Sequence, residues 1–83
     1  MKEMKIIKEI KEIRENKKKF EKIANYLHLY RLQNNLTIQE LASQIGVSSA
    51  ALVRWLAQED IPEERSLYKI LKFINRQKYE KTR

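Results

Sequence analysis

A chain of 83 residues with no cysteine, one histidine and a formal net charge of +7 is narrowly restricted in what it can be. Disulfides and thiolate metal sites are excluded, and a lone His28 makes no metal cluster. A domain of this size buries only roughly 60–65% of its unfolded surface, so good helix packing, a partner subunit or both must supply its stability.

The basic balance points to an anionic partner, nucleic acid first and a membrane surface second. No apolar run approaches the roughly 18 residues of a membrane span. Glu3, Lys5, Lys8 and Glu9 interrupt any apolar signal core at the N-terminus. With no cysteine, this predicts a cytoplasmic, nucleoid-associated protein. One glycine and one proline leave little punctuation for strands and hairpins. The remainder has helical periodicity, and the fold is read as all-α.

Residues 1–19 are lysine, glutamate and isoleucine and form a basic N-terminal helical extension. Apolar residues at Ile6, Ile10, Ile13, Phe20, Ala24 and Leu27 keep one heptad phase, with Lys17 at the skipped position. An isolated helix of about 15 residues is marginal in water. The seam therefore needs a partner, either the same helix of a second subunit or its own domain; a DNA-contacting basic arm and a solvated tail are the other readings. The charge run Arg14-Glu15-Asn16-Lys17-Lys18-Lys19 is the place for a break. From Phe20 to Asn34 a second helix places Ile23, Leu27 and Tyr30 on one face, and Asn35, tolerant of the left-handed conformation, ends it.

Thr37-Ile38-Gln39-Glu40 has the form of a capping box, in which threonine and glutamate satisfy each other's free amides. A helix then starts at Ile38 with Leu41, Ala42 and Ile45 inward. Gly46 permits the positive φ of a tight turn. Ser48 caps the next helix, Ser49 to about Ala57. Its inner side is Ala51, Leu52 and Trp55; its outer side is Ser49, Ala50, Val53 and Arg54. After the loop Gln58-Glu59-Asp60-Ile61, Pro62 suits the first turn of a last helix, with Glu63 and Glu64 at the positive end of its dipole. Leu67, Ile70, Leu71 and Ile74 form that helix's apolar face. Residues 20–75 make one helix-turn-helix domain, and 76–83 a basic C-terminal tail.

The segment from about Ile23 to Ile74 resembles the Cro/C1-repressor (XRE-type) helix-turn-helix family. The resemblance is carried by Arg31, Leu36-Thr37, Glu40-Leu41-Ala42, Gly46-Val47-Ser48, Arg54-Trp55 and Pro62, in that order and spacing, followed by a leucine-rich helix. It implies a compact five-helix lambda-repressor-like domain, here preceded by an extra N-terminal amphipathic helix. Such a domain docks its third helix in the major groove, usually as a homodimer on a two-fold operator. By position, Ser48, Ser49, Ala50, Val53 and Arg54 would face bases. A guanidinium such as that of Arg54 donates twice to guanine O6 and N7, worth roughly 1–3 kcal/mol of discrimination.

Helix N-termini present free amides, so Thr37 and Ser48 sit where a phosphate would bind, and Gln39 joins Thr37 in the backbone-contacting set. Many members carry glutamine at the Ile38 position; here it follows at Gln39. Where the family often places an acid after the tryptophan position, Leu56 stands here, which leaves Arg31 free for phosphate. The loop holding Glu59 and Asp60 is often basic in the family.

Residues 23–55 hold Arg31 and Arg54 against Glu40, a net of +1, whereas residues 1–22 hold nine lysines or arginines against five glutamates. Non-specific affinity comes mainly from phosphate neutralisation. It is therefore expected from Lys17, Lys18 and Lys19, with the tail residues Arg76, Lys78, Lys81 and Arg83 as further contributors.

Trp55 is read as core, Tyr26, Tyr30 and Tyr68 as half-buried packing residues, and His28 as surface. No nucleophile–base pair, phosphate-cradling glycine loop or carboxylate pair in a cleft is visible. The expectation is a sequence-specific double-stranded-DNA-binding regulator, a repressor with no effector domain, no enzymatic activity, no cofactor and no metal. Two alternatives stand beside it. One is a helix-turn-helix protein-interaction module, including an antitoxin-like partner binder, motivated by the acidic loop and the near-neutral reading head. The other is a MerR/excisionase-type DNA-binding protein, which needs a β-wing.

Overall fold

The structure, a computed structural model, describes the backbone of residues 2–81 and the side chains of residues 5–77. The side chains of the tail residues Lys78, Lys81 and Arg83 lie outside these. Five helices occupy the described residues: α1 (Lys2–Glu15), α2 (Lys17–Gln33), α3 (Ile38–Ile45), α4 (Ser49–Leu56) and α5 (Glu64–Lys81). The expected all-α helix-turn-helix fold is observed, and the count of five includes the N-terminal helix.

The break in the charge run falls on Asn16. This residue closes one helix and opens the next. Its N–H donates to the carbonyls of Glu12 and Ile13 at 3.0 and 3.2 Å. Its backbone is extended (φ −139°, ψ 105°), and its Oδ1 accepts from the Lys18 amide at 3.0 Å, an N-cap for α2. Across the corner, Lys19 Nζ donates to Glu12 Oε2 at 2.9 Å.

At its far end α2 closes as expected on a left-handed Asn35 (φ 53°). Leu36 N–H bonds the Arg31 carbonyl at 2.9 Å and Asn35 N–H bonds that of Leu32 at 3.3 Å, the two bonds of a Schellman motif. A 17-residue helix is thereby stopped, and the chain is aimed at Thr37.

The six-residue apolar stripe is buried from end to end: Ile6, Ile10, Ile13, Phe20, Ala24 and Leu27 are all 8% exposed or less. Its phase runs through the break, but its two halves do different work. The isoleucines dock α1 onto α5 and α2, and the Phe20–Leu27 half packs α2 against α1 and α4. The seam is thus filled by the chain's own domain, which removes it from use as an intersubunit coiled coil. Lys17, at the skipped position, is the exposed first residue of α2.

Leu27, Leu41, Leu52, Leu67 and Ile70 form the fully buried centre, and no polar or charged side chain is buried among the described residues. Phe73, which the α5 periodicity did not single out, is also core and meets the Tyr30 ring edge-on at 5.2 Å. Tyr26, Tyr30 and Tyr68 are half-buried, Trp55 is buried and His28 is exposed, as expected.

Two helix starts differ from the sequence reading: α2 opens at Lys17 and not at Phe20, because Asn16 caps it. α5 begins at Glu64, so Pro62 lies ahead of its first turn. Leu67 N–H bonds the Glu63 carbonyl at 2.9 Å, and the Pro62 ring is wholly buried. The proline serves as a packing body beneath the loop, and helix initiation passes to Glu63. Beyond Asn75 the basic tail continues as helix to Lys81.

Candidate nucleic-acid interface

The turn between α3 and α4 is built from local chemistry. Thr37 is extended; its Oγ1 accepts from the Glu40 amide at 3.0 Å, and Glu40 Oε1 accepts from the Thr37 amide at 2.8 Å. Both halves of the capping box are made. Gly46 ends α3 with φ +96°. A Cβ there would meet only Lys69 Cδ at 3.8 Å, so the backbone angle and not lack of space calls for glycine. Lys69 Nζ donates to the Gly46 carbonyl at 3.1 Å, tying the turn to α5. Ser48 Oγ then accepts from the Ala51 amide at 3.1 Å and starts α4.

Two helices of eight residues each, held by these caps, are too short to stand alone in water. Burial fixes them. Leu41, Ala42 and Ile45 of α3 face Leu52 and Trp55 of α4 within one core. This leaves a defined outer face on α4, with Ala50, Val53 and Arg54 exposed. Ser48 is exposed at its N-terminus and Ser49 is half-buried.

α4 ends in a second Schellman motif. Gln58 is left-handed (φ 60°), Glu59 N–H bonds the Arg54 carbonyl at 2.9 Å, and Gln58 N–H bonds that of Trp55 at 3.0 Å. The returning chain sets Asp60 beside Arg54, with Arg54 Nε 3.7 Å from Asp60 Oδ2.

The residues expected to meet phosphate lie on α2 and at the start of α3. Thr37 and Gln39 are exposed at the start of α3. Arg31 is half-buried and turned onto its own chain: one Nη donates to the Leu36 carbonyl at 3.1 Å, and its buried Nε has no hydrogen-bond partner. It therefore braces the entry to α3, a role its spacing in sequence did not reveal. Lys17, Lys18 and Lys19 are exposed in the first turn of α2, where Lys19 is engaged by Glu12. Lys17 and Lys18 line a groove with Gln58, Asp60 and Ile61, so they flank the acidic loop that follows α4.

Two cations were missed by sequence reasoning. Arg65 and Lys69, one turn apart on α5, line the same groove as Ser48, Ala51 and Arg54. Their signal was the spacing Arg65, Lys69, Lys72, Arg76, a basic stripe on a helix otherwise read for its leucines.

An N-capped helix, a glycine turn and a second N-capped helix with an exposed outer face define a helix-turn-helix domain of the DNA-binding type. A helix-turn-helix family model of the Cro/C1 (XRE) type matches residues 27–80. The chain belongs to this family of DNA-binding regulatory domains, which is not a family of enzymes. No curated protein and no solved structure matches it. The described residues contain no strand, so the wing that a MerR/excisionase arrangement requires is absent from them. They contain no acidic, histidine or cysteine group able to hold a metal ion, and no helix long and apolar enough to cross a membrane.

Proposed function

We propose that this chain is a sequence-specific regulator of transcription that represses by occupying an operator, with α4 inserted in the major groove. The observation that carries the reading is the outer face of α4. It presents two small apolar side chains, Ala50 and Val53, beside one guanidinium, Arg54, on a helix fixed by its cap and core. Apolar groups suit a thymine methyl, and a guanidinium suits guanine. Ser48 and Ser49 would meet bases or the adjacent backbone.

Phosphates are assigned to Thr37, Gln39 and the lysines that open α2. Lys17, Lys18 and Lys19 sit at the positive end of the α2 dipole with no acid in that turn. Such placement costs Lys17 and Lys18 roughly 0.3–1 kcal/mol each before screening, which a bound phosphate relieves, whereas Lys19 is already offset by Glu12. Arg31 contributes through the one Nη not turned to Leu36. Arg65 and Lys69 add a second cationic edge on the other flank of α4. A homodimer on a two-fold operator must use a surface other than the buried Ile6–Ile10–Ile13 seam.

The test is selection of bound sequences from a random duplex library, followed by binding at two salt concentrations. Arg54→Ala should erase the preference at one base-pair position of each half-site. Lys17→Gln with Lys18→Gln should weaken all duplexes alike and flatten the slope of log K against log salt by roughly one to two. No duplex binding at low salt would overturn the reading. It would favour the protein-interaction alternative, for which the exposed Leu29 (56%) and Leu32 (53%) of α2 are the pertinent observation.

A further inference from the structure

The Schellman turn after α4 does more than end the helix. It reverses the chain within four residues, so that the Arg54 carbonyl receives the Glu59 amide while the Arg54 side chain receives Asp60. The carboxylate approaches the guanidinium on its Nε side, as an ion pair longer than a hydrogen bond: Nε to Oδ2 is 3.7 Å, with the two side chains 59% and 49% exposed. An ion pair this open adds little to stability. Its effect is directional. A guanidinium can engage a two-acceptor base edge either with Nε and one Nη, or with its two Nη groups. Asp60 stands beside the first edge, which makes the two Nη groups the pair left to offer a base.

We propose that Asp60 is a specificity-determining positioning residue: it holds Arg54 by Nε so that the paired Nη groups are presented to a guanine. The inference rests on the major-groove reading of α4. It also gives the acidic loop a purpose that phosphate repulsion alone would deny it. Lys17 and Lys18 border the same loop. Their two charges balance those of Glu21 and Asp60 in that groove, so the carboxylate can serve Arg54 without leaving a net negative edge beside the duplex. A free arginine retains many rotamers and can follow whichever acceptor is offered; one tethered at Nε is committed in direction.

The experiment compares wild type, Asp60→Asn, Arg54→Ala and the double variant. Binding is measured to the selected duplex and to duplexes substituted at each position, in the full chain. Asp60 is exposed on a loop, and unchanged circular dichroism and melting confirm folding of the variants. Asp60→Asn should lower the preference for guanine by about two- to fivefold, the range an exposed ion pair commands. The loss should fall only at the position that Arg54→Ala abolishes, and the Asp60 substitution should have no further effect in the Arg54→Ala background. A uniform gain in affinity for every duplex with the guanine preference intact would overturn the role of Asp60 alone, leaving it a repelling charge. If Arg54→Ala leaves the preference unchanged at all positions, the reading of α4 fails and the Asp60 role with it.

Discussion

Replacing Ile13 by alanine tests whether α1 is a structural part of the domain. Ile13 is 3% exposed on the face of α1 that joins the core, while Ile7, on the opposite face, is 62% exposed. Truncation at Ile13 removes three buried carbons, about 0.8 kcal/mol of transfer free energy each. The residual cavity adds to this, for a total of about 2.5–4 kcal/mol. A chain of this length has a total stability on the order of 4–12 kcal/mol. The loss is thus a large fraction of the whole, and it should lower the melting temperature by on the order of 10–25 °C. Ile7→Ala deletes the same atoms from solvent and should stay within about 0.5 kcal/mol of wild type. Urea unfolding followed by helical circular dichroism measures both. Equal, small effects would refute the docking of α1 and return it to the status of a basic arm. The same geometry explains why deleting residues 1–19 is a poor test of phosphate contact: the deletion would uncover the core, and glutamine substitutions at Lys17 and Lys18 do not.

Four further outcomes are expected. Thr37→Ala removes one half of the capping box and Ser48→Ala the cap of α4, each costing about 1 kcal/mol in urea melts; no loss in either would refute the two caps. Gly46→Ala should cost about 1–2 kcal/mol from backbone strain alone, because the added methyl meets nothing closer than 3.8 Å. Gln58→Gly should have the opposite sign, a gain of about 0.5–1 kcal/mol, and a loss there would contradict its left-handed geometry. The hydrogen bond and charge of Lys19 hold the Glu12 carboxyl below its ordinary value of 4.5. A carboxylate depressed in the folded state stabilises above its unfolded value and loses that contribution as pH falls through its folded one. Wild type should therefore be the more stable of the pair against Glu12→Gln at pH 7. The difference should vanish on acidification below 4.5, through the depressed value, and shrink in high salt. A difference that persists in strong acid would exclude the Lys19 pair as its source.

What was legible in the sequence was whatever depends on residues three to five apart. The Thr37–Glu40 box, the Ser48 cap, the left-handed Asn35 and Gly46 and the buried stripe from Ile6 to Leu27 follow from spacing and residue type, because helix caps and faces are decided within a turn or two of chain. The outer face of α4 followed for the same reason, once Leu52 and Trp55 were assigned inward.

Other features required the chain to be folded. The stripe says that α1 must be covered, but only the packing onto α5 and α2 says by what, since a heptad phase is the same whether its partner is a second subunit or a helix some sixty residues onward. Pro62 suits a helix start by its φ, yet its ring is buried beneath the loop and α5 starts at Glu64. Lys69 reaches Gly46 across 23 residues. The meeting of Arg54 with Asp60, of Lys17 and Lys18 with the loop after α4, and of Arg65 and Lys69 with the groove beside α4 depends on where the left-handed residues Asn35, Gly46 and Gln58 send the backbone. A single positive φ redirects everything after it, so these long-range neighbours are set by tertiary geometry and not by any spacing in the chain.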